Sequence, residues 1–544
     1  MASSEDTVSK DCFDTDQEKA AVVNASSDLS PRSGGRPECF SNTFQECLFV
    51  LTATMAIGQT SFYQGTIVGI TASIGSELGM SAAEITWINA GVSLSSGAFL
   101  LTFGKLADMF GRKALFIFAM VGFTLAVLIA GFANTPIYMD VFSGIVGLFA
   151  AAAVPPAVGA LGAVYEKPSK RKNRAFACFS AGNPLGFVGG MIVSGIASSQ
   201  YNWRASFWAL AVLYALFTIM TPWTIPKDTF QRMSVSRESF KRFDLFGTAL
   251  IVVGFACFSS SLSLAGDAPH GWQTSYVIAL IVIGAVLLAC FLYWQSKAAY
   301  PLMPLHVWRD RNFSVLMAVF CLGFMGFSST TFWLSLYLQD VKGLSALEIT
   351  AQLLPMVIGG VLVNVICALV LHKMSNTVLM GIGALAYAAA FLILSFLKES
   401  APYWAFIFPA LVLVVVGADI TFNVTNMYVM SSLPPEEQSV AGGIFNTVNK
   451  LCNNLGLGIA TSIYSSISTE LGDGSTAVRP YLTTFWFAAA SAGLSVFLVP
   501  FLTLGTQGGP APEKAEEIQE PSADEKPART ERETIVYPEA EIMV

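Results

Sequence analysis

Charge is what this 544-residue chain most lacks: 12% of its residues are Asp, Glu, Lys or Arg, against 54% apolar. A water-soluble protein carries about twice that share of charge, which excludes a soluble enzyme or nucleic-acid binder as the main reading. Histidine is scarcer still. The three, His270, His306 and His372, fall in scattered loops and leave no convergent acid–base set for an enzyme embedded in a membrane. Nine cysteines are too dilute for a disulfide scaffold. Cys47, Cys178, Cys257, Cys290, Cys321, Cys367 and Cys452 lie in apolar stretches as small hydrophobes, and Cys12 and Cys39 precede the first stretch. No CxxC pair or His-rich cluster calls for a metal, and no GxxxxGK[ST] loop calls for ATP. The expectation is no cofactor and no catalytic residue. The opening residues lack a basic region and an immediate apolar run, so no signal peptide is expected and the first span must target the protein.

What is present is apolar length. Segments of about 20 residues recur at roughly 47–70, 85–104, 114–133, 138–160, 175–197, 205–225, 245–265, 275–295, 313–335, 348–371, 377–397, 405–430, 440–465 and 481–502. Each is long enough as a helix to cross about 30 Å of hydrocarbon. They show no two-residue alternation, which favours helices over a barrel, and a helix closes its backbone hydrogen bonds within the segment. Fourteen spans are therefore expected.

The formal charge of −7 is unevenly spread. Residues 1–38 hold 4 basic and 8 acidic groups, residues 506–544 hold 4 and 10, and the body between them holds 22 and 19. Both polar tails read as disordered. With both termini in the cytosol, the inner loops carry 17 Lys and Arg. Among these are Lys105, Arg112 and Lys113, a second group around Lys170, and Lys227, Arg232, Arg237, Lys241 and Arg242. The outer loops carry only Arg204, Lys342, Lys398 and Arg479, which sets the orientation by the positive-inside rule.

Two short patterns then point to a family. Gly104-Lys-Leu106-Ala-Asp108-Met-Phe-Gly111-Arg112-Lys113 joins spans 2 and 3, and it resembles the GxLaDrxGRK loop of the major facilitator superfamily, with Met109 where the family usually has Arg. Gly182, Gly186, Gly190 and Gly195 in span 5 resemble the antiporter motif GxxxGPxxGG, with Met191 in place of Pro and Ser194 in place of Gly. Four-residue spacing puts the first three of these glycines on one face, where another helix can approach closely. Trp203-Arg204 with Phe207, Phe243-Asp244 with Gly247, Pro301-Leu-Met-Pro304-Leu and Leu353-Leu-Pro355 extend the likeness over nearly all of residues 45–502. Within the superfamily the chain is most similar to the fungal fourteen-span drug:proton antiporters of the aminotriazole-resistance type.

The resemblance implies an all-α polytopic membrane protein of major facilitator fold. Its expected parts are a tail at 1–44, a six-helix bundle at 45–225, a linker with two extra spans at 226–312, a second six-helix bundle at 313–503 and an acidic tail at 504–544. Spans 1, 4, 9 and 12 would surround a central cavity. The loop from Gly104 to Lys113 would latch the outward-facing state. The implied partners are a small-molecule substrate, the lipid bilayer and the proton as coupling ion, with no nucleic acid and a monomer as the working unit. The implied location is the plasma membrane, with the vacuolar membrane as alternative.

Ionisable groups inside lipid are costly unless paired or facing a polar cavity. Asp419 and Lys450 each lie 13 residues from the loop joining spans 12 and 13, about 20 Å deep, so a pair between them is geometrically possible. Asn423, Asn426, Asn446, Asn449, Asn453 and Asn454 cluster around them. In related exporters span 1 carries an acid before a TIV sequence and span 4 a basic residue; here those places hold Gln64 and Ser143, which do not titrate. A coupling proton would then fall first to Asp419 and second to Asp140. Gln59, Tyr63, Gln64 and Thr66 offer hydrogen bonds in span 1, Pro155 and Pro156 interrupt span 4, and Phe320, Phe324, Phe327, Phe332 and Trp333 supply aromatic surface in span 9. The function expected is secondary active efflux of a small, moderately apolar compound. Uptake or uniport, export of a borate-like inorganic solute, and a non-transporting receptor or scaffold are the alternatives.

Overall fold

The computed structural model describes residues 37, 39–80, 82–165, 169–226, 243–265, 268, 270–344, 346–371, 373–471 and 478–506. Most of both tails (residues 1–36 and 507–544), Lys167, the basic stretch from Lys227 to Arg242 and His372 lie outside the described residues. Fourteen long α-helices account for most of what is described. They are α1 (Thr43–Leu78), α2 (Ala82–Phe110), α3 (Arg112–Ala130), α4 (Pro136–Val164), α5 (Lys170–Gln200), α6 (Trp203–Thr224) and α7 (Leu245–Leu264). The rest are α8 (Ser275–Gln295), α9 (Arg311–Asp340), α10 (Ala346–Val370), α11 (Asn376–Ser395), α12 (Tyr403–Ser431), α13 (Gln438–Leu471) and α14 (Arg479–Leu498). Each of the fourteen expected segments falls on one helix.

Twelve of these helices are long and apolar enough to cross a membrane; α1 and α13 are not among them. Both have the length, but α1 carries Gln59, Tyr63 and Gln64 and α13 carries Asn446, Asn449, Lys450, Asn453 and Asn454, which lower the mean hydropathy. The fourteen-span expectation is thus met by twelve spans on composition.

Helix starts follow capping chemistry. Asn42, Thr135, Ser169, Asn202, Asp244, Asp310 and Ser375 each accept a first-turn amide with the side chain. Gly111 takes φ of +108°, a conformation open to glycine, and this lets α2 end and α3 begin within one residue.

Helices α1–α6 pack among themselves, as do α9–α14. Two lateral seams join the sets, α2 against α13 and α5 against α10, and α4 also lies on α13. Helix α7 pairs with α8 and rests on both α2 and α13. Phe255 of α7 sits where a Cβ on Gly97 of α2 would be, and Asn454 of α13 donates to Ser259 of α7 at 2.8 Å. Asp244 ties this pair at its base, accepting from the Trp294 indole at 2.9 Å and the Gln295 amide at 2.8 Å.

Glycine sets the closest contact. A Cβ on Gly182 would lie 2.5 Å from the Thr54 carbonyl, one on Gly186 2.8 Å from the Gly58 carbonyl and one on Gly190 2.2 Å from the Phe62 carbonyl. Three turns of α5 therefore rest directly on the α1 backbone. Gly195 does not belong to this face: a Cβ there meets nothing within 4 Å. Five residues past Gly190 the helix has turned away from α1 and the contact is over.

Candidate functional site

At one end of the molecule the two helix sets are tied by a single charged pair. Arg112 and Asp108 lie one helical turn apart and meet at 2.8 Å, with both side chains buried. Asp108 also accepts the backbone amides of Ser439 at 3.3 Å and Val440 at 2.9 Å, and so caps α13 from across the α2–α13 seam. The Arg112 guanidinium donates to the Pro435 carbonyl at 2.6 Å, the Glu436 carbonyl at 3.1 Å, the Ser439 hydroxyl at 3.0 Å and the Gly159 carbonyl at 3.1 Å. Small residues let the backbones meet: a Cβ on Gly104 would stand 2.7 Å from the Ser439 carbonyl. Lys113 donates to the Pro222 and Ile225 carbonyls at 2.6 Å and fastens the end of α6. On the same end Glu46 joins α1 to α5 through Arg171 at 2.6 Å and accepts from Tyr165 at 2.9 Å.

A cavity of about 710 Å³ opens toward the opposite end. It is lined by α1 between Ile57 and Val68, α5 between Ser180 and Met191, α9 between Phe324 and Gln339 and α10 between Ile349 and Gly360, with mid-helix residues of α2, α4, α12 and α13. Helix α9 starts at the tied end and all its lining residues but Phe324 lie in its second half, whereas α10 starts at the opposite end and lines the cavity from Ile349 to Gly360, near that start. The opening is therefore on the side away from the Asp108–Arg112 pair. The volume lies within the 300–1,000 Å³ range of small-molecule sites.

Of the residues expected on the path, Asp419, Lys450, Asn446, Asn449 and Gln64 do line the cavity, together with Asn453. Four others do not. Tyr63 is fully buried and its hydroxyl meets that of Ser143 at 2.8 Å, so it faces α4 rather than the cavity. Gln64, one position on, is rotated about 100° around the helix and bonds Ser93 at 3.3 Å at the cavity wall. Asp140 stands in the first turns of α4, off the wall. Asn426 is buried away from it. Asn423 is also buried, but as a bridge: it accepts from Ser180 of α5 at 2.9 Å and donates to Asn364 of α10 at 2.9 Å.

Replacing Asn423 with Leu will leave the Ser180 hydroxyl and the Asn364 carbonyl without this partner at the α5–α10 seam. The expected loss is about 1–3 kcal/mol, read as a lower unfolding midpoint of the purified protein.

The expected Asp419–Lys450 pair does not form; the ion pairs among the described residues are Asp108–Arg112, Glu46–Arg171 and Glu77–Arg204. The two charges occupy different walls. Asp419 lies beside Gly360 of α10 and Pro184 of α5, with its Oδ2 3.3 Å from where a Gly360 Cβ would be. Lys450 lies two turns beyond Gly443, which packs on Leu100 of α2. Equal depth along neighbouring helices did not translate into contact, because the two residues point around their helices to opposite seams.

Phe324, Phe327 and Phe332 supply the aromatic lining of α9, joined by Phe422 and Phe187. Phe320 is packed behind against Phe324, Phe422 and Phe445, and Trp333 stacks on Tyr464 at 4.1 Å, so neither lines the cavity. Sequence reading missed Ser180, Asn183, Thr331, Ser335 and Gln339 on the wall. Short polar residues in an apolar helix give no periodic signal strong enough to single them out. At the open end Arg204 pairs with Glu77 and donates to the Ala133 carbonyl at 3.1 Å, while the Trp203 indole donates to Glu77 at 2.6 Å. Phe207 packs on Tyr63, so the Trp-Arg-Phe pattern is a clamp on the end of α1.

The comparisons with known proteins agree with this architecture. Residues 48–457 match the family model described as Major Facilitator Superfamily. Efflux pump terJ of Aspergillus terreus is 26% identical, over 86% of this chain and 89% of that protein. The low affinity ammonium transporter of Saccharomyces cerevisiae is 28% identical, over 78% and 82%. The aminotriazole resistance protein of the same yeast is 22% identical, over 85% and 84%. The crystal structure of the human organic anion transporter MFSD10 superposes with a TM-score of 0.59 over 83% of this chain and 98% of that one, at 13% identity, a likeness of fold.

Proposed function

The chain belongs to the major facilitator superfamily, and from that premise we propose that it exports small, moderately apolar organic compounds by proton antiport with alternating access. It is a multi-pass membrane transporter, and not an enzyme. The observation that carries the proposal is a cavity with an aromatic and aliphatic wall, a few amides and one carboxylate, sealed at the end where Asp108 and Arg112 tie the helix sets together. All fourteen helices are read as spans in this proposal, with α1 and α13 tolerated in lipid because Gln64, Asn446, Asn449, Lys450 and Asn453 face the cavity and Gln59, Tyr63 and Asn454 bond neighbouring helices. Helices α1–α6 and α9–α14 then act as the two moving bundles, with α7 and α8 as the added pair. The excess of Lys and Arg in the loops of the tied end supports reading that end as cytosolic and the conformation as outward-facing, in the plasma membrane.

Asp419 is the carboxylate placed to take the coupling proton, because it lines the cavity whereas Gln64 and Ser143 cannot titrate. In proteoliposomes, export of a substrate should accelerate under an imposed proton gradient, and Asp419→Asn should abolish that acceleration, each protein being compared with its own rate at equal pH. Undiminished gradient response in the variant would remove Asp419 from the coupling. A second reading, uptake of a small cation, draws on the same carboxylate and on the relative named an ammonium transporter. The direction of net flux in the same vesicles separates the two.

A further inference from the structure

The contents of the cavity select a charge type. Its wall holds one carboxylate and one ammonium, those of Asp419 and Lys450. No ion pair joins them, and the ammonium of Lys450 has neither an ion-pair nor a hydrogen-bond partner among the described residues. Asp419 lies by Gly360 and Pro184 at the α5–α10 seam, Lys450 lies two turns beyond Gly443 of the α2–α13 seam, and Phe324, Phe327 and Phe422 share the wall with them. Amides share the wall, Asn446, Asn449 and Asn453 on the helix of Lys450, Asn183 on α5 and Gln64 on α1.

Two opposite charges held apart in a partly enclosed space are expensive to keep, since each has lost part of its water without gaining the other. A bound molecule can supply what each lacks. A cation would meet Asp419 favourably and Lys450 unfavourably, and an anion the reverse. A molecule with a cationic or strongly donating group at one end, an anionic or accepting group at the other and an aromatic or aliphatic middle satisfies both at once.

We propose that the preferred substrates are dipolar: zwitterions with an apolar, aromatic-compatible body, their ammonium end toward Asp419 and their carboxylate end toward Lys450. This rests on the transport reading above and names its substrate class. It also gives the coupling a direct form. A proton arriving on Asp419 removes the partner of the substrate's ammonium, so proton and substrate compete for one carboxylate.

The test is a matched series on the purified full chain in lipid nanodiscs. The dipeptide Phe-Phe carries both end charges, its C-terminal amide only the positive one, its N-acetyl derivative only the negative one, and the doubly blocked form neither. Free Phe-Phe is expected to bind at least tenfold more tightly than the other three. Asp419→Asn should erase its advantage over the N-acetyl form and keep that over the amide; Lys450→Met should do the converse. Asp419→Glu and Lys450→Arg retain the charges and should retain the ranking, which keeps the test decisive should a neutral variant fail to fold. Binding that ignores end charge, tighter binding of a singly charged or blocked form, or no binding of any member overturns the proposal. Flux of Phe-Phe in proteoliposomes separates the two claims: charge-selective binding without transport sinks the export reading alone, and transport without charge selectivity sinks the dipolar assignment alone.

Discussion

Replacing Asp108 with Asn will cut transport at least tenfold while leaving the protein folded. The carboxylate serves two sets of donors at once, the Arg112 guanidinium and the first amides of α13. Arg112 is 5% exposed, so the substitution takes the Asp108 carboxylate away from a buried charge and puts a neutral amide in its place. Breaking a buried pair from one side costs about 3–5 kcal/mol. Here that cost falls on the conformation in which the seam is shut, because the contacts to Pro435, Glu436, Ser439 and Val440 exist only while α13 abuts α2. The closed population should fall by about two to four orders of magnitude relative to the open one. The direct measurement is alkylation of a cysteine placed at Val158, in a background lacking the native cysteines. Val158 is fully buried where Gly442 of α13 presses on α4, and modification should be slow with Asp108 and fast with Asn. Equal rates and normal transport would show that the pair does not govern the seam.

The second large effect contrasts two glycines of one helix. Gly190→Ala puts a methyl group 2.2 Å from the Phe62 carbonyl and 2.8 Å from the Thr66 amide. Both are backbone atoms of α1, which cannot step aside without parting from α5 along three turns. Overpacking of this kind costs about 1–3 kcal/mol, and more where backbone must move. The expected result is loss of the monodisperse protein and of its delivery to the membrane. Gly195→Ala, where the methyl meets nothing, should be neutral or stabilising by about 0.5–1 kcal/mol from helix propensity. A thermal unfolding series on the two variants checks the sign as well as the size.

Much of the scaffold was legible because lipid imposes a simple code: long apolar runs, short connections and basic residues gathered on one side. Asp108 and Arg112 could be singled out by the Gly-rich pattern around them. Their partners could not, since Pro435, Glu436 and Ser439 lie more than 320 residues away in an unremarkable turn. The cavity was harder. In a soluble helix the polar face declares itself, but in a bundle within lipid both the outward and the packed faces are apolar, and a polar residue marks the interior without saying which interior. Tyr63 and Gln64 make the point: neighbours in sequence, one buried against Ser143 and the other on the cavity wall. Asp419 and Lys450 make it again, equal in depth yet turned to opposite seams.

The pair formed by α7 and α8 leaves the molecule with two unlike flanks. On one flank α7 lies over the junction of α2 and α13, held by Asn454 on Ser259 and by Phe255 seated on Gly97. On the other flank no further helix covers the junction of α5 and α10 among the described residues. Rocking of the halves must therefore slide beneath a fixed brace on the first side and gape freely on the second. On the transport proposal above, the unbraced junction of α5 and α10 is the side on which a hydrophobic molecule dissolved in the bilayer would enter.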